Sequence, residues 1–289
     1  MIPGSFDYVA AQSVPEAIAL LERHGDDAKI LAGGHSLIPL LRFRLAAPSV
    51  LIDINPIRAL ESLQETDNVL HIGALVREAD LEHSDLIRTR YPLLLDTSLG
   101  VADPVVRNWA TVGGNLAHAD PANDHPAAML ALGASVVAVG PDGERVIPID
   151  EFFTDAPFET TLQQHELLSE VRVPAPTGRS GGAYMKLERK VGDYAIAGVA
   201  AYVTLDSNGL VSRAGIGLTN VGLHPIRARN AEQVLLGAPL NNASIAQAAE
   251  LAAQAAQPTS DDRGPAEYKR AMVHTLCARA LNKALARAG

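Results

Sequence analysis

The chain has 289 residues, 47% hydrophobic and 20% charged, which suits a soluble globular protein of one large domain or two ordinary ones and excludes a disordered chain. Its net charge of −9, from 24 Lys and Arg against 33 Asp and Glu, repels phosphate backbones and anionic lipid. With only 4% aromatic residues to stack on bases, nucleic-acid and membrane-surface binding fall away as first readings.

The opening, Met1 to Asp7, lacks a basic region followed by an apolar run, so no signal peptide is expected. No stretch approaches the ~20 apolar residues of a spanning helix, and a cytoplasmic location is the default. Ser13-Val14-Pro15-Glu16 reads as a capping box that starts a helix carrying Ala17, Ile18, Leu20 and Leu21, ended by Gly25. Lys29–Ala32 reads as a short buried strand stopped by Gly33-Gly34. Ser36 is placed to cap a helix through Leu37–Leu41, where Pro39 is tolerated in the first turn. Val50–Ile54 and Val69–Ile72 are strand candidates. Val76–His83 and Asp85–Leu99 are helical patterns, the second interrupted near Pro92.

Ala127–Leu132 reads as a helix. Val136–Val139, Pro141-Asp142-Gly143 and Arg145–Ile149 give a strand–turn–strand signal, and Leu167–Val173 a further strand. Pro174-Ala175-Pro176 and the following Thr177–Gly182 mark a domain boundary, giving residues 1–177 and 178–289. The second part opens with two or three strands. Tyr194–Leu205 is apolar on both faces and must be covered on both, and Asp206–Gly209 turns it back into Leu210–Leu218. Ile245–Ala256 is helical, as is a last helix carrying Val273, Leu276, Cys277, Ala280, Leu281 and Leu285. Mixed blocks of strands and helices, rather than repeated strand–helix–parallel strand units, favour an α+β protein.

Two stretches stand out for chemistry: Ala32-Gly33-Gly34-His35-Ser36 and Thr111-Val112-Gly113-Gly114-Asn115. Glycine lets a ligand touch the main chain, and successive amides in such a turn converge on an anion. Taken singly, each is better explained by an ordinary tight turn, and only the pair brings the ligand reading level with it. A chain of charge −9 that binds an anionic group needs such local donors. Gly215-Ile216-Gly217 lacks the third glycine of a dinucleotide fingerprint, and no phosphate-loop pattern is present.

Together these stretches resemble the double FAD-pyrophosphate motif of the flavin subunits of molybdenum hydroxylases. The resemblance continues through Ala102-Asp103-Pro104, Ala119–Pro126, Lys186–Ala195 and Leu218-Thr219-Asn220-Val221, nearly the whole chain. The opening Met1–Tyr8 and the late Arg263–Tyr268 resemble the carbon monoxide dehydrogenase branch in particular. The resemblance implies an FAD-binding domain of the PCMH/vanillyl-alcohol-oxidase type, followed by a smaller C-terminal domain of antiparallel strands and helices. It implies that Ala32, Gly33, Gly34, His35, Ser36 and Leu37, with Thr111, Val112, Gly113, Gly114 and Asn115, hold the FAD pyrophosphate, mainly by backbone amides. Asp124 matches a cofactor contact, Leu167 and Lys186 match positions near the adenine or flavin, and Tyr194 an aromatic beside the isoalloxazine. His35 and Asn115 stand where some relatives have Thr and Asp.

The same resemblance implies a small [2Fe-2S] subunit and a large molybdenum-cofactor subunit as partners, in a dimer of heterotrimers. The implied reaction oxidises CO with water to CO2 and sends electrons through FAD to an acceptor such as a quinone. Another molybdenum hydroxylase of the xanthine or N-heterocycle type, or a self-sufficient flavin oxidoreductase, is the alternative. A single cysteine, Cys277, gives no route for an iron–sulfur cluster in this chain and reads as an inert core thiol. His118, Asp120, Asp124 and His125 match no metal-ligand spacing, and His165-Glu166 reads as a solvated turn.

Overall fold

A computed structural model describes residues 2–289. The chain opens with β1 (Asp7–Ala10), α1 (Val14–His24) and β2 (Ala28–Leu31), followed by α2 (Leu37–Phe43) and β3 (Val50–Asp53). The Ser13 hydroxyl caps α1 by accepting from Glu16 N, a contact worth about 1 kcal/mol. The Glu16 carboxylate reaches Gln12 N at 2.7 Å rather than Ser13 itself. The three strands form a parallel sheet in the order β1-β3-β2. This first lobe is therefore built of the parallel units that mixed strand and helix blocks did not suggest.

A second lobe follows. It contains β4 (Leu63–Thr66), β5 (Val69–Gly73), α3 (Glu78–His83), α4 (Asp85–Arg90) and α5 (Pro92–Gly100), with Pro92 at the first position of α5, where its missing N–H costs nothing. Next come α6 (Pro104–Arg107), α7 (Val112–His118), α8 (His125–Leu132), β6 (Ser135–Gly140), β7 (Gly143–Pro148) and β8 (Leu167–Pro174). Its five strands form an antiparallel sheet in the order β4-β5-β8-β6-β7. The Thr111–Asn115 stretch is no free turn: Thr111 caps α7, and both glycines lie in the first helical turn.

The remainder carries β9 (Arg179–Glu188), β10 (Ala195–Leu205), β11 (Val211–Thr219), β12 (Ile226–Arg227), α9 (Arg229–Gln233), α10 (Asn242–Ala255) and α11 (Ala266–Ala288). The strands form an antiparallel sheet in the order β12-β11-β10-β9. Every residue of β10 is buried. Side chains alternate across a strand, and here the two faces enter different cores. Ala197, Val199, Ala201 and Val203 pack in the core built with α10 and α11, while Ala200 and Tyr202 join the core of the second lobe. Gly217 lets α8 lie directly on β11, since a Cβ there would stand 2.0 Å from the Ala127 carbonyl oxygen. That approach fixes the start of α8, where Asp124 sits, against the C-terminal sheet.

Candidate functional site

The two glycine stretches meet across an open cleft of ≈ 470 Å³ between the first and second lobes. Ala32, Gly33, Gly34, His35, Ser36 and Leu37 line one wall, Thr111, Gly113, Gly114 and Asn115 the other, and Leu167 closes one side. Their glycines serve different ends. A Cβ on Gly33 would stand 2.2 Å from the Trp109 carbonyl oxygen, and one on Gly113 2.7 Å from the Ala74 carbonyl oxygen. Both glycines therefore let two backbones touch within the protein. Gly34 has φ +79°, which glycine adopts without strain. Gly114 makes room for the Thr111 hydroxyl, which accepts its N–H at 3.1 Å.

A polar strut locks the two walls together. Asn55 Nδ2 donates to the Ala32 carbonyl at 3.0 Å, and Arg77 donates to Asn55 Oδ1 at 2.5 Å and to the Trp109 carbonyl at 2.5 Å. Arg77 also lies over the Trp109 ring, 5.8 Å from its centroid.

The walls differ in what they offer a ligand. Among the described residues, the amides of Gly33, Gly34, His35, Ser36 and Leu37 find no acceptor in the protein. Ser36 precedes α2 in helical conformation and its hydroxyl makes no cap bond, so it too is free to donate. On the other wall the amides are spent: Val112 N on Val76 O at 3.0 Å, Gly113 N on Ala74 O at 3.1 Å, Asn115 N on Thr111 O at 2.9 Å. That wall offers side chains instead. The Thr111 hydroxyl retains its proton, and Asn115 Oδ1 is buried with no partner. A buried polar atom left unpaired costs about 1–3 kcal/mol, so this carboxamide oxygen has an unused acceptor position at the cleft wall. Amides free to meet a ligand therefore stand on the first wall, whereas those of Val112, Gly113 and Asn115 on the second are already engaged. The second stretch packs the Val112 and Gly113 amides against the β5–α3 connection.

Val112 faces the core, not the cleft. Asp124, Lys186 and Tyr194 do not line the cleft either. Asp124 is buried beside Asn123, which does line it. Its carboxylate accepts from Tyr184 Oη at 2.5 Å and Lys186 Nζ at 3.0 Å, and Lys186 also holds the Gly100 carbonyl at 2.7 Å. Burial raises the Asp124 pKa against the pull of Lys186 and Tyr184, and burial beside Asp124 raises the Tyr184 phenol well above its ordinary value. His125 pairs with Glu78 at 2.7 Å, both fully buried; burial opposes its charge, but Glu78 outweighs that and raises its pKa. Tyr194 is exposed on the β9–β10 loop.

Several lining residues carried no cofactor expectation from the sequence. Asn123 lies within the Ala119–Pro126 stretch and His118 just before it, and Phe158 sets its ring 5.4 Å from that of His118. Gln164 and Glu166 line the cleft next to Leu167. Glu166 is not a solvated turn residue: Arg145 grips it at 2.6 and 2.7 Å and holds its pKa below the usual carboxylate range. Arg145 thus keeps it ionised and engaged. Burial lowers the His118 pKa against the nearby Asp120. The Cys277 thiol is pushed up to about 12 by burial, an inert core group.

Residues 4–176 match the family described as FAD binding domain in molybdopterin dehydrogenase, and residues 182–284 that of the CO dehydrogenase flavoprotein C-terminal domain. The chain is 43% identical to the carbon monoxide dehydrogenase medium chain of Afipia carboxidovorans over 100% of its own length and 99% of that protein's. It is 44% identical to subunit alpha of the 6-hydroxypseudooxynicotine dehydrogenase complex of Paenarthrobacter nicotinovorans, covering 100% of this chain and 97% of that one. A solved structure of carbon monoxide dehydrogenase from Hydrogenophaga pseudoflava superposes with a TM-score of 0.96 at 46% identity, over 99% of each chain. The chain belongs to the family of FAD-binding subunits of molybdopterin dehydrogenases.

Proposed function

We propose that this chain is the FAD-carrying medium subunit of a molybdenum hydroxylase of the carbon monoxide dehydrogenase type. Residues 1–177 form its cofactor domain and residues 178–289 its C-terminal domain. The observation that carries the reading is the pairing of five unengaged amides on one wall of the cleft with the orphaned Asn115 carboxamide on the other. This donor set fits an anionic diphosphate flanked by sugar hydroxyls. Amides of Gly33 to Leu37 and the Ser36 and Thr111 hydroxyls would meet phosphate oxygens, and Asn115 would meet a neighbouring polar group. Leu167 would lie against an apolar part of the cofactor, and Asp124 and Lys186 brace the wall from behind through Asn123. Tyr194 would lie beside the isoalloxazine, at the mouth of the cleft.

When bound, FAD supplies the exchange between single-electron and two-electron transfer. No acid–base pair is required of this chain: the Glu166 and Asp124 carboxylates are held by Arg145 and Lys186. The strut of Asn55 and Arg77 keeps the walls at fixed separation, so the donors are in place before the cofactor arrives. With Cys277 as the only cysteine, electrons enter from a partner. We place a small [2Fe-2S] subunit and a large molybdenum-cofactor subunit with it, as a dimer of heterotrimers in the cytoplasm. No helix among the described residues is long and apolar enough to cross a membrane. The near-equal identity to the 6-hydroxypseudooxynicotine dehydrogenase subunit supports a second reading, in which the large partner takes an N-heterocyclic substrate and this chain's cleft serves the same FAD.

The cleft is tested with Asn115→Leu. Loss of one neutral hydrogen bond should weaken FAD binding about 2–10-fold, while the FAD-free protein keeps or gains stability because an unpaired buried oxygen is gone. Wild-type FAD affinity in this variant rejects the cleft. Iron and molybdenum in the native complex, and flavin bleaching by CO but not by N-heterocycles, select the first reading over the second. A protein that runs alone and completes a redox reaction rejects both.

A further inference from the structure

The loop that precedes α11 reaches across to the β9–β10 loop and grips it. Arg263 lies over the Tyr194 ring, its guanidinium carbon 5.6 Å from the ring centroid. Its Nη2 lies 3.5 Å from Asp193 Oδ1, the oxygen that also accepts the Tyr194 N–H at 2.8 Å. Asp193 Oδ2 meets Arg189 at 3.5 Å. One carboxylate thus fixes the Tyr194 backbone and anchors the cation that covers its ring.

The gripping loop is itself held. Asp261 and Gly264 exchange two backbone hydrogen bonds of 3.2 Å, Asp261 Oδ1 accepts the Arg263 N–H at 3.0 Å, and Lys269, buried in α11, donates to Asp261 Oδ2 at 2.6 Å. Removing either partner of such a pair would leave an uncompensated buried charge, so Asp261 is tied firmly to α11. Arg263 Nε is buried without a partner, so the guanidinium is fixed by the ring and by Asp193 rather than by a full set of bonds. Tyr194 is exposed despite this effort. Asn220 ties the next residue to the cleft wall: its side chain donates to the Ala195 carbonyl and its N–H donates to the Pro121 carbonyl at 2.9 Å, two residues before the cleft residue Asn123.

We propose that Arg263 is a positioning residue: the loop before the C-terminal helix uses it to set the Tyr194 ring at the mouth of the cofactor cleft, and so governs how far the bound flavin is covered. The inference rests on the FAD reading above. It assigns the C-terminal helix, far from the cleft in sequence, a say in access to the flavin. A ring held by a cation and a shared carboxylate has fewer orientations than a free tyrosine, and removing the cation returns them.

Two readouts on the full chain test this. Trypsin cleaves after Arg189 or Lys190 only when the β9–β10 loop loosens. A cation–π contact at an exposed site predicts that Arg263→Gln speeds that cleavage about two- to five-fold, with or without FAD, and Arg263→Lys less. In the FAD-loaded chain, a nearby phenol quenches flavin fluorescence. Arg263→Gln and Tyr194→Leu should both raise it, and the double variant should show no further rise. If Tyr194→Leu raises the fluorescence and Arg263→Gln leaves both readouts at wild type, the positioning role is wrong while the FAD reading stands. If FAD binds and Tyr194→Leu changes nothing, the flavin does not lie at Tyr194, and the proposal fails with that placement.

Discussion

Gly33→Ala isolates what shapes the cleft. The new Cβ would stand 2.2 Å from the Trp109 carbonyl oxygen and 3.1 Å from Ala110 Cα, both backbone atoms. A side chain could swing away, but backbone cannot, so the two walls must separate by about 1 Å to restore ordinary contact. Overpacking of this kind costs about 1–3 kcal/mol, which for a chain this size lowers Tm by about 2–10 °C. The same wedge pulls the free amides of the first wall from Thr111 and Asn115 on the second. Two weakened contacts at about 1.5–3 kcal/mol for a charged acceptor would lower FAD affinity by at least 100-fold. Gly114→Ala is the contrasting variant, because its Cβ meets only the Thr111 hydroxyl, at 2.6 Å, and that group can rotate. It should lose FAD affinity with a fall in Tm limited to that of the lost α7 cap, about 0.5–2 kcal/mol, and with the wall separation unchanged. Thermal melts of the FAD-free protein and FAD titration monitored by fluorescence separate the two effects. Unchanged Tm and affinity in Gly33→Ala would refute the idea that wall-to-wall contact sets the cleft.

The Asp124–Lys186 pair should behave as a unit. Asp124→Leu or Lys186→Met alone leaves a buried charge without its partner and should cost about 3–5 kcal/mol in urea unfolding, whereas the double variant should cost less than either; additive losses would show that the two are not coupled. His118, whose pKa is lowered by burial, should make stability fall as pH drops below its ordinary value of 6.5, since the unfolded chain then binds a proton the folded one resists. The raised pKa of His125 acts oppositely: its stabilisation is full below that range and is lost as pH rises through its folded value. His118→Gln should therefore flatten the acid limb of Tm against pH, and a curve parallel to wild type would remove His118 from the account.

The glycine stretches, the capped first helix, the α5 start at Pro92 and the fully buried β10 were legible in the sequence because each is decided locally. Backbone freedom, a side-chain cap, a missing N–H and an unbroken apolar run all act within a few residues. The family was legible for the same reason, since its motifs are short and lie in order along the chain. Tertiary structure decided what those residues do. Ser36 looked like a cap and is instead free, because α2 begins without using its hydroxyl. Gly33 and Gly113 looked like room for a ligand and are instead room for Trp109 and Ala74, which come from other segments. The amides of Val112 and Gly113 looked available and are bound to Val76 and Ala74 across the β5–α3 connection. Asn55 and Arg77 carried no motif at all, yet they bridge carbonyls 23 and 32 residues away from them in the chain. Composition and spacing record which groups a segment can offer; only packing between distant segments decides which of those groups are already taken and which remain free for a cofactor.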